Sequence, residues 1–518
     1  MELTSVPIIL ASLFVLSLIS LSPSNAVTDE RESWTIHNDT SIGYRLLYPN
    51  SELLNEDGDL KNDISSLAKL DSAHLRKGTI ADGVSKLVLI LNSNSTLRFS
   101  IADTTPDNLT NGTLTSLGQS PNSINLSSAT IVHPQRISDG NSTVAVAVYT
   151  PPNFIEPPNN NSYTTINILV NDTRYQPIPL ELYRVPVVLV HGLWGDPQET
   201  WIKNKFDEAL KQSRFDVYFA DYSDHNADTF DPYFSNIGNY GIDSIRKQIT
   251  KVIEKYSNRS IAASQVDVVA HSMGGLMARG FVQQPDYKGP ENFQKGSMHR
   301  LITIGTPHFG GDLSRILFEH RNQEYCVSGT RLSPVGKDGN CKSGEEGPMD
   351  LKTIYNNWTW SIVQGGVESL IPGSNAYNRL CQTDVKSYAI AGVWKPDAKD
   401  SKKIYENFYK NVTGNENFDL DNDGFHDQND LVVGLTSQLG GLVYNRTQQL
   451  GEDIIPFNST IYPNTVHTTS YIKGNDVGVS SELNSTQIQQ RVIKLLGSLD
   501  GNKKFADAIG IGSPCNIP

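Results

Sequence analysis

The stretch Ala270-His271-Ser272-Met273-Gly274-Gly275 holds a serine between small neighbours, after the apolar run Val266-Asp267-Val268-Val269 and before a helix-forming one. A serine can be presented on a strained strand-to-helix turn only where its neighbours are small, because bulk would clash where the hydroxyl must project. Ala270 stands where the G-x-S-x-G pattern has its first glycine, and it is small enough. The helix that follows offers free N–H groups to an anion formed during attack, so Ser272 is the candidate nucleophile and Met273 one candidate oxyanion donor. A second donor should come from the loop after an earlier strand. His191-Gly192-Leu193 follows Val187-Val188-Leu189-Val190, and Gly192 lets the backbone bend so that the Leu193 amide can point at the charge.

Those residues need elements to hold them. Val185 to Val190 is a run of the kind buried on both faces of a parallel sheet. A helix is expected near Thr200–Lys211 and a strand over Asp216–Ala220. A second helix, with Ile242, Ile245, Ile249, Val252, Ile253 and Tyr256 on one stripe, runs over Ile242–Lys255. Strands Val266–Ala270 and Leu301–Ile304 flank a helix through Gly275–Arg279. Strand and helix alternate, which predicts an α/β fold with a mostly parallel sheet covered by helices on both faces.

On such a sheet the serine's partners follow in the order acid, then histidine. A serine hydroxyl is a poor nucleophile until a histidine takes its proton, and the histidine needs a carboxylate to fix its tautomer. After Ser272 the histidines are His299, His308, His320, His426 and His467. Only His467 follows a plausible strand-end acid and sits in a loop signal, so it is read as the base. His308, in Gly305-Thr306-Pro307-His308, is read as structural. The acid is tied to a second feature. Residues Asp419 to Asp430 read D-L-D-N-D-G-F-H-D-Q-N-D, which fits a calcium loop: Asp419, Asp421, Asp423, Asp427 and Asp430 supply carboxylates and Phe425 a carbonyl, with Gly424 at the turn. Asp430 precedes Leu431-Val432-Val433 and is the choice for the triad acid, so it competes with itself as twelfth calcium ligand. Asp427 and Asp423 are the alternatives.

The segments around His191-Gly192-Leu193, Ala270–Gly275 and Ile304-Gly305-Thr306-Pro307-His308-Phe309-Gly310-Gly311 resemble those of secreted lipases and triacylglycerol-lipase-like α/β-hydrolases, from about Pro186 to the C-terminus. Leu370-Ile371-Pro372-Gly373-Ser374 resembles a segment such enzymes carry after the lid. The resemblance implies an ester hydrolase acting on a lipid or other acyl ester, and a lid over residues 312–367. The same machinery could serve an acyltransferase, an amidase or a polyester hydrolase. A surface adhesion protein with a vestigial hydrolase domain is the reading from a different class.

An uncharged apolar run from Pro7 to Leu21, followed by Ser24-Asn25-Ala26, predicts a signal peptide over 1–26. Residues 27–180, rich in Asn, Ser and Thr with short β-branched runs, predict a β-sandwich; Ala81–Leu89 resembles a strand start of bacterial immunoglobulin-like repeats. Residues 181–518 are the α/β region. N-x-[ST] recurs from Asn38 to Asn484, as expected of an exported glycoprotein. Cys326, Cys341, Cys381 and Cys515 form an even set that favours disulfides, with Cys326 and Cys341 closing the shortest loop. The net charge of -13 argues against nucleic acid and anionic membranes as partners.

Overall fold

The computed structural model describes residues 44–506 apart from 103–110, 119–127, 137–142, 158–160, 232–239, 320–323, 329–330, 335–338, 345, 351–364, 395–428, 441–458 and 469–479. The expected signal peptide lies outside the described residues, and none of the described helices is long and apolar enough to cross a membrane.

Six strands build the sheet that carries the chemistry. They are β1 (Val187–Val190), β2 (Val217–Ala220), β3 (Val266–His271), β4 (Met298–Ile304), β5 (Ser387–Val393) and β6 (Ser459–Pro463). Their order across the sheet is β2-β1-β3-β4-β5-β6, and every neighbouring pair is parallel. Residues of β1, β3 and β5 are buried throughout, as a sheet covered on both faces requires. Alternate side chains go to opposite layers. Val188, Val190, Val268 and Ala270 pack with helix α2 (Tyr240–Asn258) and helix α3 (Met273–Val282). Val187, Leu189, Val269 and Ile302 pack with helix α1 (Phe206–Gln212) and helix α5 (Thr486–Gly497). The result is a parallel α/β sheet covered on both faces, and β3 at its centre ends one residue before Ser272.

Local sequence explains the helices. On α2, Ile242, Ile245, Ile249, Val252 and Tyr256 are all buried, and each such side chain contributes about 1.5–3 kcal/mol over an exposed one. The helix expected over Thr200–Lys211 is broken instead: Gln198–Ile202 forms one wide turn, and α1 begins only after Lys205, which has a φ of 57°.

The N-terminal region is a two-sheet β structure. One sheet pairs Tyr44–Leu47, Leu87–Asn92, Thr143–Thr150 and Thr113–Ser116 in that order, antiparallel throughout. The other runs Ile261–Ala262, Gly78–Ile80, Ile178–Tyr183, Tyr163–Val170, Leu97–Ile101, Ala129–Val132. Leu87, Leu89, Ala145 and Ala147 from the first meet Phe99, Ile168, Leu180 and Leu182 from the second in one apolar core. Two expectations change here. A domain boundary at 180/181 falls inside the strand Ile178–Tyr183, and Ile261–Ala262 of the α/β region adds a parallel strand to the same sheet, so the two regions share backbone pairing. The pairing of Gly78–Ile80 with Ile178–Tyr183 is parallel as well, unlike an all-antiparallel sandwich. The strand expected to begin near Ala81 starts at Leu87, because the Asp82 carboxylate caps a turn by accepting from the Val84 and Ser85 amides.

The insertion after β4 is more regular than its sequence pattern suggests. Helix α4 (Asp312–Glu319) leads into three antiparallel strands, ordered Arg331–Pro334, Glu324–Ser328, Glu346–Asp350. A disulfide joins Cys326 to Cys341. Cys381 is disulfide-bonded too, while Cys515 lies outside the described residues. Among the described sequon asparagines, Asn94, Asn171, Asn258 and Asn484 are exposed and Asn111 is half-buried.

Candidate active site

Ser272 occupies the turn between β3 and α3 with φ 56° and ψ -134°, a conformation that L residues adopt only where the surroundings enforce it. The sequence provides for that turn with glycines on all sides. A Cβ on Gly274 would lie 2.3 Å from the His191 carbonyl oxygen, and one on Gly275 would lie 2.3 Å from Thr306 Oγ1. A Cβ on Gly192 would come within 2.6 Å of the Ser272 Cβ, so the loop after β1 can approach the serine only as glycine.

The serine's partners arrive from the other side of the sheet. Residue 430 lies beyond β5 and His467 beyond β6. His467 Nε2 is 2.8 Å from Ser272 Oγ, and His467 Nδ1 is 2.8 Å from Asp430 Oδ2. The consistent proton assignment has Nδ1–H donating to Asp430 and Nε2 accepting from the Ser272 hydroxyl. Asp430 is fully buried, and its Oδ1 accepts from the Val432 and Val433 amides at 2.9 and 2.7 Å. The His467 amide donates to the Asp430 carbonyl at 3.0 Å, which ties the two loops together by main chain as well. Leu431, next to the acid, has a φ of 82°. With Trp194 at 55°, positive-φ residues stand beside the oxyanion loop, at the serine and beside the acid.

The two amides expected to face an oxyanion both lie next to residues at the Ser272 turn. Leu193 follows Gly192 on the loop that touches Ser272, and Met273 opens α3. Among the described residues neither amide has an acceptor, whereas those of Trp194 and Gly195 donate to Asn226 and Gly192. His191 beneath the loop is buried and stacks on Tyr222. Burial pushes it down to about 4, which keeps Nε2 free to accept from the Tyr222 amide at 3.3 Å. The segment Gly366–Ser369, at the end of the insertion, packs on the same loop, where a Cβ on Gly366 would lie 2.9 Å from Leu193 Cδ1. The Leu370 carbonyl accepts from the Gly311 amide at 2.9 Å, which ties the Leu370–Ser374 segment to the loop after β4.

The sequence-derived residues divide as follows. Ser272, His467 and Asp430 meet; Asp419, Asp421, Asp423, Phe425 and Asp427 lie outside the described residues. Asp430, also read as twelfth calcium ligand, has one oxygen that accepts from two amides and another that faces His467, and its carboxylate has no exposure. His308 is buried between Arg279 Nη1 at 3.3 Å and Thr303 Oγ1 at 3.1 Å.

Sequence reading missed Glu482. The short strands Thr465–Val466 and Ser480–Ser481 pair in parallel, Val466 opposite Ser481, so Glu482 lies alongside His467 although it is distant in sequence. Its Oε2 is 3.4 Å from His467 Nδ1 and 3.4 Å from His271 Nε2. His271, His467 and Glu482 form the group of potential metal ligands among the described residues, their ligand atoms lying within 4.8 Å of one another. A cation there would take Nδ1 of His467 away from Asp430, so this group does not support a resident metal.

Residues 186–326, which carry β1, the Gly192 loop, β3, Ser272 and β4, match the family described as "Putative serine esterase (DUF676)". That segment is esterase-like. No curated protein sequence matches the chain. Among solved structures the chain is similar to the mature Bacillus licheniformis lipase BlEst2, at 16% identity over 57% of this chain and 88% of that one, with a TM-score of 0.28. The Staphylococcus hyicus lipase gives 16% identity, 62% and 95% coverage and a TM-score of 0.34. Phospholipase PlaB from Legionella pneumophila gives 13%, 62% and 62%, and 0.36.

Proposed function

We propose that this chain is a serine ester hydrolase of the lipase or carboxylesterase kind, with Ser272 as nucleophile, His467 as base and Asp430 as orienting acid. The observation that carries the reading is His467, whose two ring nitrogens each stand 2.8 Å from a partner of the right chemistry. The Ser272 oxygen attacks the ester carbonyl as its proton passes to Nε2, and Asp430 stabilises the imidazolium through Nδ1–H. The carbonyl oxygen becomes an anion held by the Leu193 and Met273 amides. As the C–O bond breaks, the proton goes from Nε2 to the leaving alkoxide, leaving an acyl-serine. Water, deprotonated by the same nitrogen, then releases the acid and restores the serine.

Three further parts belong to this proposal. The insertion over 312–367 acts as a lid above the acyl pocket. The N-terminal run, the disulfides and the exposed sequons fit an exported protein. Calcium would be held by Asp419, Asp421, Asp423, Asp427 and the Phe425 carbonyl, where carboxylates without Lys or Arg would otherwise repel one another; held there, it would brace the segment leading to Asp430. A panel of p-nitrophenyl esters of rising chain length, with and without a calcium chelator, tests both. Ester turnover at some chain length is expected, with a lower melting temperature and a slower rate after chelation. No turnover at any chain length would defeat the hydrolase reading. An unchanged melting temperature would remove calcium from it.

A further inference from the structure

Glu482 is built into the fold at a specific cost. It has no exposure, and two glycines make room for its carboxyl: a Cβ on Gly305 at the end of β4, where φ is 57°, would lie 1.9 Å from Oε2, and one on Gly392 in β5 would lie 2.9 Å from Oε1. The Gly392 amide donates to Oε1 at 3.1 Å, and the Glu482 amide donates to the Val466 carbonyl at 2.8 Å. The titratable groups that face it are Asp430 from the loop after β5, His467 from the loop after β6 and His271 from the end of β3. Among the described residues no lysine or arginine pairs with it. An ionised carboxylate buried this way beside a second one would be strongly unfavourable. Burial first, and then the Asp430 charge, hold its carboxyl well above the usual carboxylate range, which favours its protonated form beside the Asp430 carboxylate.

The geometry points to Glu482 as a second acid behind His467: a positioning residue held neutral while Asp430 carries the charge, and able to receive the Nδ1–H of His467 when Asp430 cannot. This rests on the triad reading above. The resting distance of 3.4 Å from Oε2 to Nδ1 is longer than the 2.8 Å of Asp430, so Asp430 is the working partner in the native chain. Once Asp430 is neutral, the like charge opposing ionisation of Glu482 is gone. Glu482 then releases its proton to solvent and can face the imidazolium that forms as Ser272 attacks. Activity of such a variant should therefore rise with pH through a one-proton step that the native enzyme lacks.

The test is a double-mutant cycle of Asp430→Asn and Glu482→Gln, with ester hydrolysis followed across pH and folding checked by thermal melting. Asp430→Asn should lose about 10²-fold in kcat, well short of the roughly 10⁴-fold typical when a triad loses its only acid. Its residual rate should climb with pH. Glu482→Gln keeps a neutral group in place and should lose less than about tenfold, while the double variant should fall to the full loss with the pH step gone. The inference is overturned if Glu482→Gln has the same effect in both backgrounds, or if the residual rate of Asp430→Asn shows no step that the second substitution abolishes. Failure of the triad reading looks different: the native chain itself would then hydrolyse esters without needing Ser272.

Discussion

Ser272→Ala should lower kcat for ester hydrolysis by about 10⁶-fold and leave the protein folded. The size follows from the site's dependence on one oxygen. Among the described residues no other hydroxyl is paired with His467, so water would have to attack without covalent catalysis, and the Leu193 and Met273 amides would remain to assist. Folding should survive because the Ser272 hydroxyl makes one hydrogen bond, worth about 1 kcal/mol, and the turn is enforced by the glycines around it rather than by the hydroxyl. A melting curve close to that of the native protein, measured beside the rate, distinguishes lost chemistry from lost structure.

His467→Gln should cost nearly as much, about 10⁵- to 10⁶-fold, since a serine without its base is scarcely nucleophilic and the effects of triad members do not add. An amide can fill the place of the ring and still contact Ser272, but it cannot accept and then return a proton. The comparison that sharpens this prediction is His308→Gln. That ring packs between Arg279 and Thr303 in the core, so its replacement should lower the melting temperature and leave kcat within about tenfold. Equal losses of kcat in the two variants would count against His467 as base.

Most of the candidate site is legible in the sequence because it depends on local rules. Small residues around Ser272, a glycine before Leu193 and the order of serine, acid and histidine each follow from backbone sterics or sheet topology. The α/β sheet is legible for a similar reason: runs such as Val187–Val190 and the stripe on α2 state their burial in their periodicity. What is not legible depends on pairing between distant segments. Glu482 reaches the site only because Ser480–Ser481 pairs with Thr465–Val466, a two-residue ladder with no signal of its own. The addition of Ile261–Ala262 to the N-terminal sheet is hidden for the same reason. The approach of Asp430 to His467 is visible only in its hydrogen bonds, because spacing alone served the calcium loop equally well. Lys205 shows a third kind of miss, a left-handed residue that splits a helix whose apolar pattern continues across the break.

The account turns on Ser272 being an activated nucleophile in the native chain. Labelling with a fluorophosphonate, followed by identification of the modified peptide by mass spectrometry, measures that directly. The expected result is stoichiometric modification of Ser272, lost in His467→Gln. Absence of label, or label on another serine, would contradict it.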